Sequence, residues 1–226
     1  MQAIMEPIFE IAYLICILVL GVLILRRAEE QRQFKLFGSM AILLGCGDAF
    51  HLIPRIYALW TDGTQNHAAS LGFGKLVTSI TMTVFYVILF EIWKLRYAQK
   101  NKAPLTATVY GLSALRILLC LMPQNQWLSA NAPLSFGIYR NIPFALLGAV
   151  MIVLYAQQAK RQQDKAFRFM WLAITLSFLF YIPVVLFADA IPAMGMLMIP
   201  KTCAYVWIVS MGYASSAVHR DAWYHS

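Results

Sequence analysis

The sequence EPIFEIAYLICILVLGVLILR occupies residues 6–26, and its stretch from residue 11 to residue 25 carries no charged side chain. About 20 mostly apolar residues in a helix are needed to cross the hydrocarbon core of a bilayer. The run therefore predicts a membrane-spanning helix. We do not expect a cleaved signal peptide, because the leading residues Met1 to Pro7 include Glu6 and no Lys or Arg.

Six further apolar runs predict helices of the same kind. The seven predicted spans cover residues 6–26, 35–57, 71–94, 104–122, 134–157, 166–188 and 193–216. Across all 226 residues, 61% are hydrophobic and 12% are charged, whereas a soluble domain carries about 25% charged residues. The sequence therefore predicts an all-α membrane protein, a single seven-transmembrane-helix bundle over residues 1–226, and a multi-pass location in the cell membrane.

The basic residues between the runs predict the orientation. Thirteen of the eighteen Lys and Arg residues lie in the loops after the first, third and fifth runs and in the C-terminal tail. They are Arg26, Arg27, Arg32, Lys35, Lys94, Arg96, Lys100, Lys102, Lys160, Arg161, Lys165, Arg168 and Arg220. Basic loops stay inside the cell, so the N-terminus is predicted outside and the C-terminus inside. This placement also explains the net charge of +8 without a nucleic-acid partner.

A faint internal repeat is also present. The first three runs can be laid over the last three, which places Pro7 near Pro143 and Pro54 near Pro183. This alignment predicts a parallel 3+1+3 repeat in which the fourth helix inverts the chain. The alternative, that any two apolar triplets align somewhere, stays open.

Five cations lie inside the predicted spans or at their outer edges: Arg55, Lys75, Arg116, Arg140 and Lys201. All five fall in the outer half of the predicted bundle. Ionisable residues at such depths are costly, so they usually face the bundle interior or water and mark functional sites. Side chains that snorkel to the headgroups, or a purely structural network of salt bridges, are the alternatives.

Acids and other polar groups share that outer layer. Asp48, His51 and Arg55 are spaced i, i+3 and i+7, so they lie on one helix face. The other candidates are Glu10, Thr78, Tyr139, Tyr181 and Tyr205. We therefore predict an outward-facing cationic pocket that binds a membrane lipid or a small anionic or zwitterionic ligand.

Neither a metal nor a cofactor is expected at this pocket. His51 could be a metal ligand, but the other three histidines lie in a loop or the tail. Lys201 on the seventh helix is compatible with a retinal Schiff base, although the third helix has no carboxylate in mid-span to serve as its counter-ion. Retinal binding is therefore only a minor alternative.

The segment LGCGDAFHLIPR, residues 44–55, resembles the Gly-Asp helix of the YhhN-like lysoplasmalogenase family of integral membrane proteins. The helix that follows, and the Asn141-Ile142-Pro143 start of the fifth run, are also similar to family segments, so the resemblance covers about half of the chain. It implies a hydrolase of lysophospholipids with Asp48 as the active-site acid. The family usually has eight helices, and its second acidic motif has no match near residues 177–185.

The residues leave three functions open. In the first, a hydrolase acts on a lysophospholipid or similar amphiphile, with Asp48 and His51 as catalytic residues; vinyl-ether cleavage needs an acid that protonates carbon before water attacks. In the second, the bundle binds or senses a ligand without chemistry. In the third, it is a small transporter for an anionic solute.

Overall fold

The computed structural model describes residues 2–61, 63, 66–99, 102–188 and 190–224. Within these residues it contains no strand and seven helices that are long and apolar enough to cross a membrane. They are α1 (Gln2–Arg27), α2 (Arg32–Trp60), α3 (Ala68–Arg96), α4 (Ala103–Leu121), α5 (Leu134–Arg161), α6 (Met170–Phe187) and α7 (Met198–Tyr224). The all-α, seven-helix prediction is confirmed. Of the loop cations, Lys100 and the side chain of Arg220 lie outside the described residues.

Two helix starts differ from the sequence-based spans. The span predicted over 166–188 becomes helical only at Met170, because the backbone amides of Ala166 and Phe167 donate to Asp164 Oδ1 in the preceding turn. The span predicted over 193–216 opens with a 3-10 helix over Pro192–Leu197, and α7 begins only at Met198. Hydropathy detects the length of an apolar run and does not register either local hydrogen-bond pattern.

The helices form a ring in chain order. Each helix packs against the next, α7 closes the ring against α1 and also contacts α2, and α3 contacts α5. We call the end of the bundle at which α1 begins and α2 ends its N-terminal end, and the other end its opposite end. Successive short connections place the starts of α1, α3, α5 and α7 at the N-terminal end.

Glycines allow α2 and α3 to approach closely. A β-carbon on Gly47 would collide with the side chain of Thr81, and one on Gly74 would collide with the backbone of Phe50 and His51. Small residues let helix backbones pack closely where lipid supplies no hydrophobic drive for association. These contacts fix the polar face of α2 against α3.

A polar clamp holds the opposite end together. Arg96, in the last turn of α3, donates from Nε and Nη2 to the two carboxylate oxygens of Asp164 over 2.5 and 2.7 Å. The Tyr97 hydroxyl donates to Asp164 Oδ2 over 3.0 Å, and Arg96 Nη1 donates to Ser215 Oγ of α7 over 3.1 Å. The Arg96 guanidinium also lies 3.9 Å from the centre of the Phe167 ring. We call these five residues the clamp.

The clamp shifts the titration of its loop residues. Burial of Asp164 opposes its ionisation, but the hydrogen bonds and positive charge of Arg96, with the Phe167 amide and the Tyr97 hydroxyl, outweigh that effect. The pKa of Asp164 is therefore below its ordinary value. Burial and the neighbouring Asp164 carboxylate raise the pKa of Tyr97, so its hydroxyl stays protonated.

Candidate functional site

A polar cavity of about 70 Å³ opens between α1, α2, α3 and α7 at the N-terminal end. Its lining includes seven of the residues predicted from the sequence: Glu10, Asp48, His51, Arg55, Thr78, Lys201 and Tyr205. A water molecule needs roughly 10–15 Å³ of such space. The cavity therefore has room for a few waters or for one small polar group.

Asp48 is held by a tyrosine of α1. Tyr13, which is 4% exposed, donates from its hydroxyl to Asp48 Oδ2 over 2.6 Å. Among the described residues, Oδ1 of Asp48 has no hydrogen-bond partner and is not enclosed by protein. Oδ2 is thus held by Tyr13, while Oδ1 stays available to a molecule in the cavity.

Arg55 binds two glutamates of α1. Its Nε donates to Glu6 Oε1 over 2.9 Å, and its Nη2 contacts the same oxygen. Glu10 Oε1 lies 3.3 Å from Arg55 Nε. Glu10 Oε2 is buried and has no hydrogen-bond partner.

Lys201 enters the cavity from α7 between two aromatic rings. Its Nζ lies 4.7 Å from the centre of the Tyr181 ring and 5.5 Å from that of Tyr205. The residue is 7% exposed. Within the described part of the chain, no hydrogen-bond or ion-pair partner reaches Nζ, and ring faces compensate an ammonium only partly.

Two other polar side chains of the lining are engaged with backbone. Nδ1 of His51 lies 3.3 Å from the carbonyl oxygen of Leu71. A proton on Nδ1 satisfies that carbonyl, which leaves Nε2 as an acceptor. The Thr78 hydroxyl donates to the carbonyl of Gly47 over 3.1 Å, so it ties α3 to α2.

The lining is not predominantly cationic. Three acids line it, namely Glu6, Glu10 and Asp48, against the two cations Arg55 and Lys201. The prediction of a cationic pocket is therefore corrected on this point. It rested on cations of equal depth, three of which the structure places outside this lining: Lys75, Arg116 and Arg140.

The Arg116 guanidinium packs within the bundle, apart from that lining. It is 2% exposed and lies 3.2 Å from the centre of the Phe144 ring. Its Nε and Nη1 find no hydrogen-bond partner among the described residues. Arg116 is thus stabilised by an aromatic face rather than by an acid.

Arg140 and the remaining candidates belong to other contacts. Arg140 Nη1 donates to Asn125 Oδ1 over 2.9 Å, and its guanidinium lies 4.2 Å from the centre of the Trp127 ring. The Tyr181 hydroxyl donates to Asn141 Oδ1 over 2.9 Å. Lys75 and Tyr139 also lie outside the cavity lining, and both residues are exposed.

Sequence analysis missed two ionisable residues of the cavity lining. Glu6 and Tyr13 stand with Glu10 at i, i+7 and i+4, which is a single helix face. That spacing is the signal that would have found them.

The cavity limits what can bind. Pockets for ligands of drug size occupy roughly 300–1,000 Å³, whereas this cavity measures about 70 Å³. Retinal binding through Lys201 stays a minor alternative. Among the described residues, no group of three or more His, Cys, Asp or Glu side chains could hold a metal ion. No family model, no curated protein and no solved structure matches this chain.

Proposed function

We propose that the cavity binds the polar end of a membrane amphiphile or a small zwitterionic molecule. One observation carries this proposal: ionisable side chains of α1, α2 and α7 surround a single cavity with space left inside it. Ionisable groups at this depth of a membrane bundle are costly and are retained where they bind or move something. An aliphatic tail would have to lie outside the cavity, against the lipid-facing surface.

We propose further that the cavity faces the outside of the cell membrane. The basic residues of the α1–α2, α3–α4 and α5–α6 connections lie at the opposite end, which the positive-inside rule assigns to the cytoplasm. To test this orientation, Gly63 is replaced by cysteine, and a labelling reagent is applied to the outside of intact cells. A label that reaches residue 63 only from the inside would overturn it.

The parallel 3+1+3 repeat also stays a prediction, tested by superposing α1–α3 on α5–α7.

Hydrolysis is the second candidate function, and the free Oδ1 of Asp48 favours it. On a vinyl ether, a protonated Asp48 would give its proton to the alkene carbon farther from the ether oxygen, and the resulting oxocarbenium would take up water at the carbon next to oxygen. His51 Nε2 would accept the proton that this water loses. The hemiacetal would then break into an aldehyde and an alcohol, which balances the reaction. This is the chemistry implied by the resemblance to the YhhN-like family, and that relationship also remains a proposal.

The experiment uses the purified full chain in detergent. Vinyl-ether lysophospholipids, their non-hydrolysable alkyl-ether analogues and soluble headgroups are each titrated while the melting temperature and aldehyde release are measured. Stabilisation by ligand without aldehyde release supports binding alone, and aldehyde release supports hydrolysis. A chain that none of these compounds stabilises, and that releases no aldehyde, would overturn both functions.

A further inference from the structure

Two polar atoms, one from an acid and one from a base, remain open in the cavity. Oδ1 of Asp48 has no hydrogen-bond partner among the described residues and is not enclosed by protein. Nζ of Lys201 likewise has no hydrogen-bond partner in the described part of the chain, and protein does not enclose it. Both residues line the same cavity, so one molecule in the cavity can reach both atoms.

The other charged groups of the lining are engaged with one another. Arg55 binds Glu6 through Nε and Nη2, and its Nε is also ion-paired with Glu10 Oε1. The second oxygen of Glu10, Oε2, is enclosed by protein and lies out of reach of a ligand. The charged atoms left for a ligand are therefore those of Asp48 and Lys201.

The two open atoms have complementary needs. The ammonium group of Lys201 has three N–H donors, and the ring faces of Tyr181 and Tyr205 beside it offer no lone pair. Oδ1 of Asp48 can accept but has no donor. No ion pair joins Asp48 to Lys201 among the described residues, so neither group satisfies the other. A ligand that carries both an acceptor and a donor would satisfy both.

The charge of the lining favours a cationic donor. Three acids line the cavity against two cations. A purely anionic ligand would pair with Lys201, but it would add to the excess of negative charge around Asp48. An ammonium group next to Asp48 compensates that excess. A cavity of about 70 Å³ also requires that the two charged groups of the ligand lie only a few bonds apart.

We infer that the cavity binds a small zwitterionic group across these two atoms, with the ligand's ammonium group donating to Asp48 Oδ1 and its acidic group accepting from Lys201 Nζ. This inference rests on the proposed ligand-binding function and gives the ligand a single orientation. Specificity is then divided between two residues, because Asp48 recognises the amine and Lys201 recognises the acidic group.

Free small zwitterions and lipid headgroups share this chemistry, so the experiment uses both. Calorimetry on the purified chain measures the affinity for phosphoethanolamine and for ethyl phosphate, which lacks the amine, and then for the two acyl lysophospholipids with these headgroups. None of the four compounds contains a vinyl ether, so binding is measured without turnover. We expect removal of the amine to weaken binding by about tenfold or more. A preference limited to the soluble pair assigns the free zwitterion, and one limited to the lysolipids assigns the headgroup.

Two variants assign the contacts. In Asp48→Asn, the affinities with and without the amine should come to within about threefold of each other, because the charge that attracts the ammonium group is gone. In Lys201→Gln, both affinities should fall by a similar factor of about tenfold while the preference for the amine remains, since independent contacts are additive. Glu30→Gln, a change at an exposed residue whose ion-pair partner is Lys35, should keep all affinities.

A structure of the complex decides the question if Asp48→Asn does not fold. In a crystal of the unaltered chain with phosphoethanolamine, the ligand nitrogen should lie within about 3.2 Å of Asp48 Oδ1, and a phosphate oxygen should lie within about 3.2 Å of Lys201 Nζ. A ligand bound in the cavity without these two contacts would overturn the inference.

Three binding results would also overturn the inference, and they are distinct. Equal affinity for the compounds with and without the amine in the unaltered chain would exclude the amine contact while leaving ligand binding intact. A preference for the amine that survives in Asp48→Asn would exclude Asp48 as its source. No binding of any compound would remove the inference together with the proposed function.

Discussion

The two ends of the bundle each hold a cluster of ionisable side chains, and the clusters differ in how completely they are paired. In the clamp, both oxygens of Asp164 accept hydrogen bonds, and Arg96 donates from all three of its nitrogens. In the cavity, the second carboxylate oxygen of Asp48 and the amine of Lys201 lack protein partners among the described residues. The same residue types therefore serve a structural role at one end and leave capacity for a ligand at the other.

The difference is one of enclosure as well as pairing. The clamp joins the end of α3, the α5–α6 connection and α7 through direct hydrogen bonds between their side chains. At the N-terminal end, the corresponding charges surround free space. A cluster whose hydrogen-bonding groups are all paired resists rearrangement. A cluster with unpaired groups is stabilised when a partner binds to them.

The largest expected effect concerns Asp48, if the chain is a hydrolase. Asp48→Asn keeps the size of the side chain and an acceptor for Tyr13, but it removes the transferable proton. Aldehyde release should fall by roughly 10²–10⁴-fold, with a melting temperature close to that of the unaltered chain. Asp164→Asn, measured in parallel, should retain turnover at a temperature where it remains folded. Full turnover by Asp48→Asn would exclude this residue as the acid.

The next largest effect is expected from a substitution that breaks the clamp. Asp164→Asn removes the charge opposite Arg96, whose side chain is 17% exposed, and leaves that guanidinium with a neutral partner. We expect a loss of about 3 kcal/mol in the free energy of unfolding, since truncating one partner of a buried ion pair costs about 3–5 kcal/mol. Thermal melting in detergent measures it, with Glu30→Gln as the exposed control. A stability unchanged by Asp164→Asn would refute the structural role of the clamp.

A smaller effect of opposite sign is expected at Arg116. Two of its nitrogens are buried without partners over the Phe144 ring. Arg116→Met fills a similar volume without a charge, so the melting temperature should be unchanged or should rise by an amount equivalent to about 1 kcal/mol. A loss of more than about 2 kcal/mol would instead mean that Arg116 has an anionic partner in the purified protein.

The smallest expected effect is on the pH dependence of stability. The pKa of Asp164 is below its ordinary value of 3.8, so the unfolded chain binds this proton more readily than the folded one. The stability that Asp164 contributes is complete above about pH 4 and is lost as the pH falls through the lower, folded-state pKa. The melting temperatures of the unaltered chain and Asp164→Asn should converge as the pH falls from about 4 through the folded-state pKa of Asp164. A constant difference over that range would contradict the shift.

Span positions could be predicted from the sequence because each depends on a local run of apolar residues. The grouping of Arg55 with Lys201 could also be predicted, since both residues line one cavity. Which face of each helix points toward the cavity could not be predicted, because it depends on the order of the helices around the ring. Arg116 and Arg140 therefore lie on α4 and α5, away from the cavity lining.

The close fit between α2 and α3 determines which wall of the cavity can yield. With Gly47 seated on Thr81 and Gly74 on the backbone of His51, sliding or separating these two helices would open voids along their whole contact. The wall formed by the start of α7 is built differently, since a 3-10 helix containing the cavity-lining Gly195 precedes it. Exchange of a ligand with the surroundings should therefore proceed by outward tilting of the α7 start, with α2 and α3 moving as one rigid unit.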